Sequence, residues 1–138
     1  MSALVNAARS YLGTPWQHQG RSRNAIDCLG LLALSERDTG RAVADRTDYA
    51  RVPNPDELQA GLQAHYGVPV AGAEPEMAAL LPGDKLLLRY GRDAQHVAIV
   101  TDHKDTLGMI HAYAGANCRV TEHILDDKWR RRIVAVFR

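Results

Sequence analysis

Hydrophobic residues near the N-terminus recur at the spacing of an α-helix. Ser2–Leu12 carries its apolar side chains on one face, and Gly13 follows as a natural C-terminal stop. The polar stretch Thr14–Asp27 contains proline and glycine and is predicted to be a loop. A second helix is predicted over Cys28–Asp38, because Asp27 suits the N-cap position and an apolar run follows it.

A third helix is predicted to begin after Asn54. This capping residue is followed by Pro55, whose fixed backbone angle suits the first helical position. Leu58, Leu62 and Tyr66 then recur at helical spacing and give the helix an apolar face.

After position 82 the pattern changes to short runs rich in apolar and β-branched residues, which turn residues separate. These runs predict strands at Lys85–Tyr90, Gln95–Thr101, Leu107–Tyr113, Asn117–His123 and Arg132–Phe137. Helices followed by strands with short connections are typical of an α+β domain with an antiparallel sheet. A chain of 138 residues suits one hydrophobic core, so we expect a single domain over residues 1–138.

The charge balance and the hydropathy exclude two classes of partner. With 17 basic and 16 acidic residues, the chain has no broad basic surface for nucleic acid. One basic cluster is expected to be a solvated strand edge or turn: Lys128, Arg130, Arg131 and Arg132. No apolar run approaches the roughly 20 residues that span a membrane, and the N-terminal pattern is not that of a signal peptide. We therefore expect a protein that is made in the cytoplasm and binds neither nucleic acid nor membrane.

The cysteine and histidine spacing does not indicate a metal site. Cys28 and Cys118 are expected to be free thiols, since the sequence shows no export signal. Neither has a C-x-x-C partner, and His103 and His123 lack ligand spacing, so we expect no metal and no cofactor. Cys118 is interpreted as a packing residue.

Cys28 lies at a predicted junction between a loop and a helix. Backbone N–H groups at a helix N-terminus favour negative charge, so a thiolate there is expected to have a pKa below that of a free thiol. The same position is equally well explained by a small buried cysteine that fills a helix contact.

Two histidines lie on adjacent predicted strands. His96 shares a strand face with Ala98 and Val100, and His111 lies on the next strand. If the strands pair, His111 comes beside His96 and can accept its Nδ1 proton, which fixes the tautomer of the ring. Each histidine alone is also explained by a structural role, but together with Cys28 they form a nucleophile, a base and an orienting residue.

Five stretches of the sequence, in this order, resemble motifs of the NlpC/P60 family: Leu12–Trp16 with Gly20, Asp27–Leu31, Leu81–Asp84, His96–Val100 and Ile110–Ala112. The resemblance covers nearly the whole chain. It implies a papain-like fold, with N-terminal helices packed on an antiparallel sheet of about five strands. It also implies that Cys28, His96 and His111 are catalytic. The implied reaction is hydrolysis of amide bonds in peptidoglycan stem peptides, at γ-D-glutamyl bonds next to a diamino acid.

Two departures from the family pattern affect the expected site. Leu29 replaces the small hydroxyl residue after the nucleophile, and this form, with the stretch Trp16–Gly20, resembles the phage-tail branch. Trp16 stands where many members carry a tyrosine that helps the oxyanion site. The candidate substrate or oxyanion residues are Trp16, His18, Asp27 and Leu29. The phage-tail resemblance implies that a virion carries the protein to the cell wall, with other tail proteins as partners.

Two other functions compete with hydrolysis. One is a catalytically silent module on the same fold that serves tail-tip assembly or cell-wall binding. The other is a lipid-modifying acyltransferase, but those relatives are circularly permuted, with the histidine first. Here Cys28 precedes His96, which counts against an acyltransferase.

Overall fold

A computed structural model of the chain describes residues 2–41, 45–115 and 117–138. Its helices are α1 (Ala3–Arg9), α2 (Cys28–Asp38), α3 (Pro55–Tyr66) and α4 (Asp127–Arg130), with a 3-10 turn at Met77–Ala79. Its strands are β1 (Arg21–Ser22), β2 (Ala25–Ile26), β3 (Lys85–Tyr90), β4 (Asp93–His103), β5 (Thr106–Tyr113), β6 (Arg119–Ile124) and β7 (Ile133–Phe137).

The predicted N-terminal ends of α2 and α3 are confirmed by their caps. The Asp27 carboxylate accepts a hydrogen bond of 2.8 Å from the backbone N–H of Gly30. The Asn54 side chain accepts one of 3.0 Å from the backbone N–H of Asp56. Each cap satisfies a donor that has no partner within the helix, so these local signals determine where the helices begin.

Helix α1 is shorter than the predicted Ser2–Leu12 and ends at Arg9. The N–H groups of Tyr11 and Leu12 bond to carbonyls three residues back, at 3.0 and 3.1 Å, so the last turn is tightened. Gly13 has a φ of +85° and donates its N–H to β6 instead of continuing the helix.

Strands β3 to β7 form one antiparallel sheet in the order β6-β5-β4-β3-β7, which confirms the predicted α+β fold with five strands. The central strand β4 is longer than the predicted Gln95–Thr101. Its side chains alternate between two cores as expected. Val97 and Ile99 pack with α1, α2 and α3, whereas Ala98 and Val100 pack in the core on the other face.

One of two predictions about irregular segments is corrected. The stretch Thr14–Asp27 is not all loop, because Arg21 pairs with Ile26 in the two-stranded hairpin β1-β2. The basic cluster lies in α4 and in the turn after it, in keeping with the predicted turn, and Arg130 and Arg131 each form an ion pair of 2.8 Å with Asp127. Such a cluster is partly neutralised within its own helical turn.

In the part of the chain that the structure describes, no helix combines the length and apolar character needed to cross a bilayer. Cys28 and Cys118 are both free thiols, as predicted. Cys118 is exposed and has a φ of +47°, so its interpretation as a packing residue is wrong.

Candidate active site

The first residue of α2 lies against the central strand of the sheet. Strand β4 pairs with β5 only from Ile99 onward, so the residues of β4 before Ile99 are not paired with β5. The sulfur of Cys28 lies against that segment and accepts hydrogen bonds from the backbone N–H groups of Val97 and Leu29. The helix therefore delivers Cys28 to the part of β4 that also carries His96.

The expected low pKa of Cys28 is wrong. Burial raises the pKa of this thiol to about 12, and the negative charge of the neighbouring Asp27 raises it further. The N–H groups of Val97 and Leu29 and the charge of Arg21 act in the opposite direction but do not outweigh burial. The resting form of Cys28 is consequently the neutral thiol.

His96 and His111 are joined by a short contact between their rings. The Nε2 atom of His96 lies 2.7 Å from the Nδ1 atom of His111, and both side chains are buried. The predicted proximity is confirmed, but the predicted nitrogen is wrong, because His111 faces Nε2 of His96 and not Nδ1. This leaves Nδ1 of His96 as the nitrogen available to a reacting group.

Burial also makes these two rings neutral. It lowers the pKa of His96 to about 3 and that of His111 to about 2, and the neighbouring imidazoles add a smaller decrease at His111. Tyr113 stacks on His111 with 5.1 Å between ring centroids, and Tyr90 lies 5.4 Å from the His96 ring. A buried neutral imidazole can accept a proton only as another group becomes negative beside it.

A third histidine extends this pair. His123 on β6 lies with its Nε2 atom 2.9 Å from the Nε2 atom of His111. The sequence pattern gave His123 no catalytic role, since its spacing does not suit a metal ligand. The sequence did contain a signal for this contact, because β4, β5 and β6 are neighbours and carry His96, His111 and His123 on the same face of the sheet. Among the described residues, no cluster of histidine, cysteine or acidic side chains has the arrangement of a metal site.

The candidate residue Asp27 is the centre of a hydrogen-bond network. Its carboxylate accepts from the backbone N–H groups of Gln19 and Gly30, at 2.7 and 2.8 Å, and from the Arg21 guanidinium at 2.9 Å. The hydroxyl of Tyr49 also donates to it. Sequence reasoning missed Arg21 on β1 and Tyr49 in the segment between α2 and α3, which both connect their segments to the start of α2 through Asp27.

The other candidate residues lie around the start of α2. The ring of His18 meets Tyr49 edge-on at 5.5 Å, and the guanidinium of Arg51 lies 5.1 Å from the Trp16 ring. Leu29 lines an apolar cavity between α2 and α3. Among the described residues, neither His18 nor Trp16 has a ring contact with the His96–His111 pair, so a role for them in substrate or oxyanion binding stays a prediction.

Two corynebacterial proteins are similar to this chain in sequence. The chain is 31% identical over 124 residues to a probable endopeptidase of Corynebacterium glutamicum strain ATCC 13032, with 90% of this chain and 48% of that protein covered. A probable endopeptidase of Corynebacterium glutamicum strain R is also 31% identical over 124 residues, with 90% and 47% covered. The chain thus spans about half the length of the curated relatives it matches.

Solved structures share the fold at low sequence identity. The NlpC/p60 domain of the peptidoglycan hydrolase SagA superposes with a TM-score of 0.60 and 20% identity, over 99% of this chain and 96% of that one. NlpC1 from Trichomonas vaginalis gives a TM-score of 0.69 and 16% identity, over 98% of this chain and 42% of that one. A model of the NlpC/P60 family matches residues 13–138, and the chain therefore belongs to the NlpC/P60 family, a family of cysteine peptidases.

Proposed function

We propose that this chain hydrolyses amide bonds in the stem peptides of peptidoglycan, with Cys28 as nucleophile and His96 as base. One observation supports the proposal most: the Cys28 sulfur lies on the backbone of Val97, and the residue before Val97 on the same strand is His96, whose Nε2 atom lies 2.7 Å from Nδ1 of His111. A thiol, a base and an orienting partner are the groups that thiol-based acyl transfer requires.

In the first half of the proposed reaction, the sulfur of Cys28 attacks the carbonyl carbon of the scissile amide. The thiol proton passes to Nδ1 of His96, the nitrogen that His111 does not occupy. Backbone N–H groups of Leu29 and Val97 stabilise the charge on sulfur as the proton leaves. When the C–N bond breaks, His96 gives the proton to the leaving amine, and the acyl group remains on Cys28 as a thioester.

In the second half, water attacks the thioester carbonyl while His96 removes a proton from it. The C–S bond breaks, the sulfur of Cys28 recovers the proton from His96, and the carboxylic acid leaves. His111 holds the His96 ring through both halves. Being neutral, it stabilises the transient imidazolium less than a carboxylate would.

The substrate class rests on the names of similar proteins. The corynebacterial relatives are probable endopeptidases, and SagA is a peptidoglycan hydrolase. We extend the proposal to γ-D-glutamyl bonds next to a diamino acid, and to a phage or prophage tail that carries the domain to the cell wall. The tail role rests on Leu29 and the stretch Trp16–Gly20. Absence of the chain from purified virions would remove the tail role and leave the peptidase.

The deciding experiment is digestion of purified peptidoglycan and soluble stem peptides, with the products identified by mass spectrometry. We expect the wild type to release a new amine end and Cys28→Ala to release none. Cys118→Ala is the matched control, because Cys118 is exposed and should be dispensable. Hydrolysis by Cys28→Ala, or no hydrolysis by any form, would contradict the proposal, and the second result would favour the assembly or wall-binding module.

A further inference from the structure

His123 is one end of a chain of three histidines that crosses three neighbouring strands. Its Nε2 atom lies 2.9 Å from Nε2 of His111, and its Nδ1 atom lies 2.9 Å from the backbone carbonyl oxygen of Ile124. His96 is the other end, through its 2.7 Å contact with His111. The chain thus connects His96 to a fixed backbone acceptor.

The contact between His123 and the carbonyl oxygen of Ile124 determines which nitrogen of each ring carries a proton. A carbonyl oxygen only accepts, so Nδ1 of His123 donates to it, and an imidazole whose single N–H is used there presents a lone pair at Nε2. His111 must then donate from Nε2, which makes its Nδ1 an acceptor. His96 in turn donates from Nε2. With one N–H group on each ring, the three hydrogen bonds use all three N–H groups, and Nδ1 of His96 keeps its lone pair.

We propose that His123 is a positioning residue that sets the tautomers of His111 and His96, and so keeps Nδ1 of His96 ready to take the thiol proton of Cys28. The inference rests on the proposed peptidase function, in which His96 must act as a base through that nitrogen. Burial supports the neutral forms of the first two rings, because it lowers the pKa of His96 to about 3 and that of His111 to about 2.

Aromatic side chains restrict the orientation of the chain. The Trp129 ring meets His111 edge-on at 5.1 Å and lies 5.4 Å from the His123 ring. Tyr113 stacks on His111 with an interplanar angle of 17°. A ring that is packed from two sides loses its hydrogen bonds if it flips, so one proton arrangement is favoured along the whole chain.

The test is the position of the proton on His96 in the full chain, read from long-range ¹H–¹⁵N correlations of ¹⁵N-histidine-labelled protein at neutral pH. We expect the proton on Nε2 of His96 and His111 and on Nδ1 of His123. His123→Leu should distribute the His96 proton over both nitrogens and lower kcat by roughly 10- to 100-fold. His123→Gln places an acceptor near the former position of Nε2. It should restore most of the wild-type kcat and most of the preference for the proton on Nε2 of His96.

The control is His103→Leu, because His103 lies on the same sheet but pairs with Glu122, at 3.5 Å. It should leave the His96 tautomer unchanged. A wild-type spectrum with the His96 proton on Nδ1 would overturn the inference even if His123→Leu fails to fold, and so would identical spectra and kcat for wild type and His123→Leu. If the wild type shows the expected tautomer but cleaves no peptide, the proposed function fails while the role of His123 in setting the tautomer stands.

Discussion

His96 and His111 are diagonal neighbours and do not face each other directly across their strands. Ile99 pairs with Ile110, so one further step of the register brings His111 level with Ala98, two residues from His96. Diagonal side chains in an antiparallel pair are within reach when they are long or aromatic. The offset points Nε2 of His96 at Nδ1 of His111, at 2.7 Å, and leaves Nδ1 of His96 outside this contact.

This geometry predicts unequal losses when either histidine is removed. His96→Ala removes the base and should lower kcat by about 10² to 10⁴. His111→Ala removes only the partner that orients the ring, so its loss should be smaller. His111→Asn is the matched control, because its side-chain oxygen can take the place of Nδ1 as acceptor. Steady-state hydrolysis of a stem peptide measures all three; a loss in His111→Ala that equals or exceeds that of His96→Ala would mean that the roles are reversed.

The pKa values predict activity that varies little with pH near neutrality. The pKa of Cys28 is raised to about 12, so the thiol stays protonated as the pH rises, and the pKa of His96 is lowered to about 3, so the ring stays neutral as the pH falls. The reacting pair therefore keeps one protonation state, and kcat/KM should be flat from about pH 5 to about pH 9. Circular dichroism over that range controls for unfolding. An acid limb near pH 6 would instead indicate that the resting form is a thiolate–imidazolium pair.

The parts of the structure that the sequence predicted are those that local signals determine. The boundaries of α2 follow from the cap at Asp27 and from the apolar run after it, and β3 follows from its own apolar run. The prediction of a low pKa for Cys28 was wrong because the pKa depends on a contact that is not local in the sequence. The helix N-terminus is a local feature, but burial of the sulfur depends on β4, which is distant in the sequence.

The histidine chain depended on register, which the sequence pattern does not specify. The turn between β4 and β5 has Lys104 and Asp105 at φ values of +48° and +64°, the backbone of a two-residue hairpin turn. Neither residue is a glycine or asparagine, so the turn signal was weak. A shift of one residue would have placed His111 on the opposite face from His96.

Asp27 is predicted to contribute to stability through its network. Asp27→Ala removes the cap of α2 and one of the two ion pairs of the Arg21 side chain, which is only 15% exposed, while the 3.0 Å pair with Asp45 remains. Loss of a cap and of a buried partner together should lower the free energy of unfolding by about 3 kcal/mol. The control is Asp48→Ala, since Asp48 pairs with Arg46 at the surface and should matter little. Urea unfolding curves measure both, and equal stability of the two variants would show that the network around Asp27 is not stabilising.

Gly30 and Gly61 form a matched pair for the last prediction, because each lies within a helix but only one is crowded. A Cβ atom on Gly30 would collide with the carbonyl oxygen of Gly20 and lie 2.9 Å from the Arg21 guanidinium. Gly30→Ala should therefore destabilise the protein by about 2 kcal/mol and displace the start of α2, so that Cys28 loses its position on β4 and hydrolysis falls.

A Cβ atom on Gly61 meets nothing within 4 Å. Because alanine favours helix over glycine by up to about 1 kcal/mol, Gly61→Ala should stabilise α3 and leave hydrolysis unchanged. Urea unfolding and stem-peptide hydrolysis of the two variants separate a specific effect on α2 from a general effect of adding a methyl group. If Gly30→Ala retains both wild-type stability and full hydrolysis, close contact between α2 and the loop at Gly20 is not what positions Cys28.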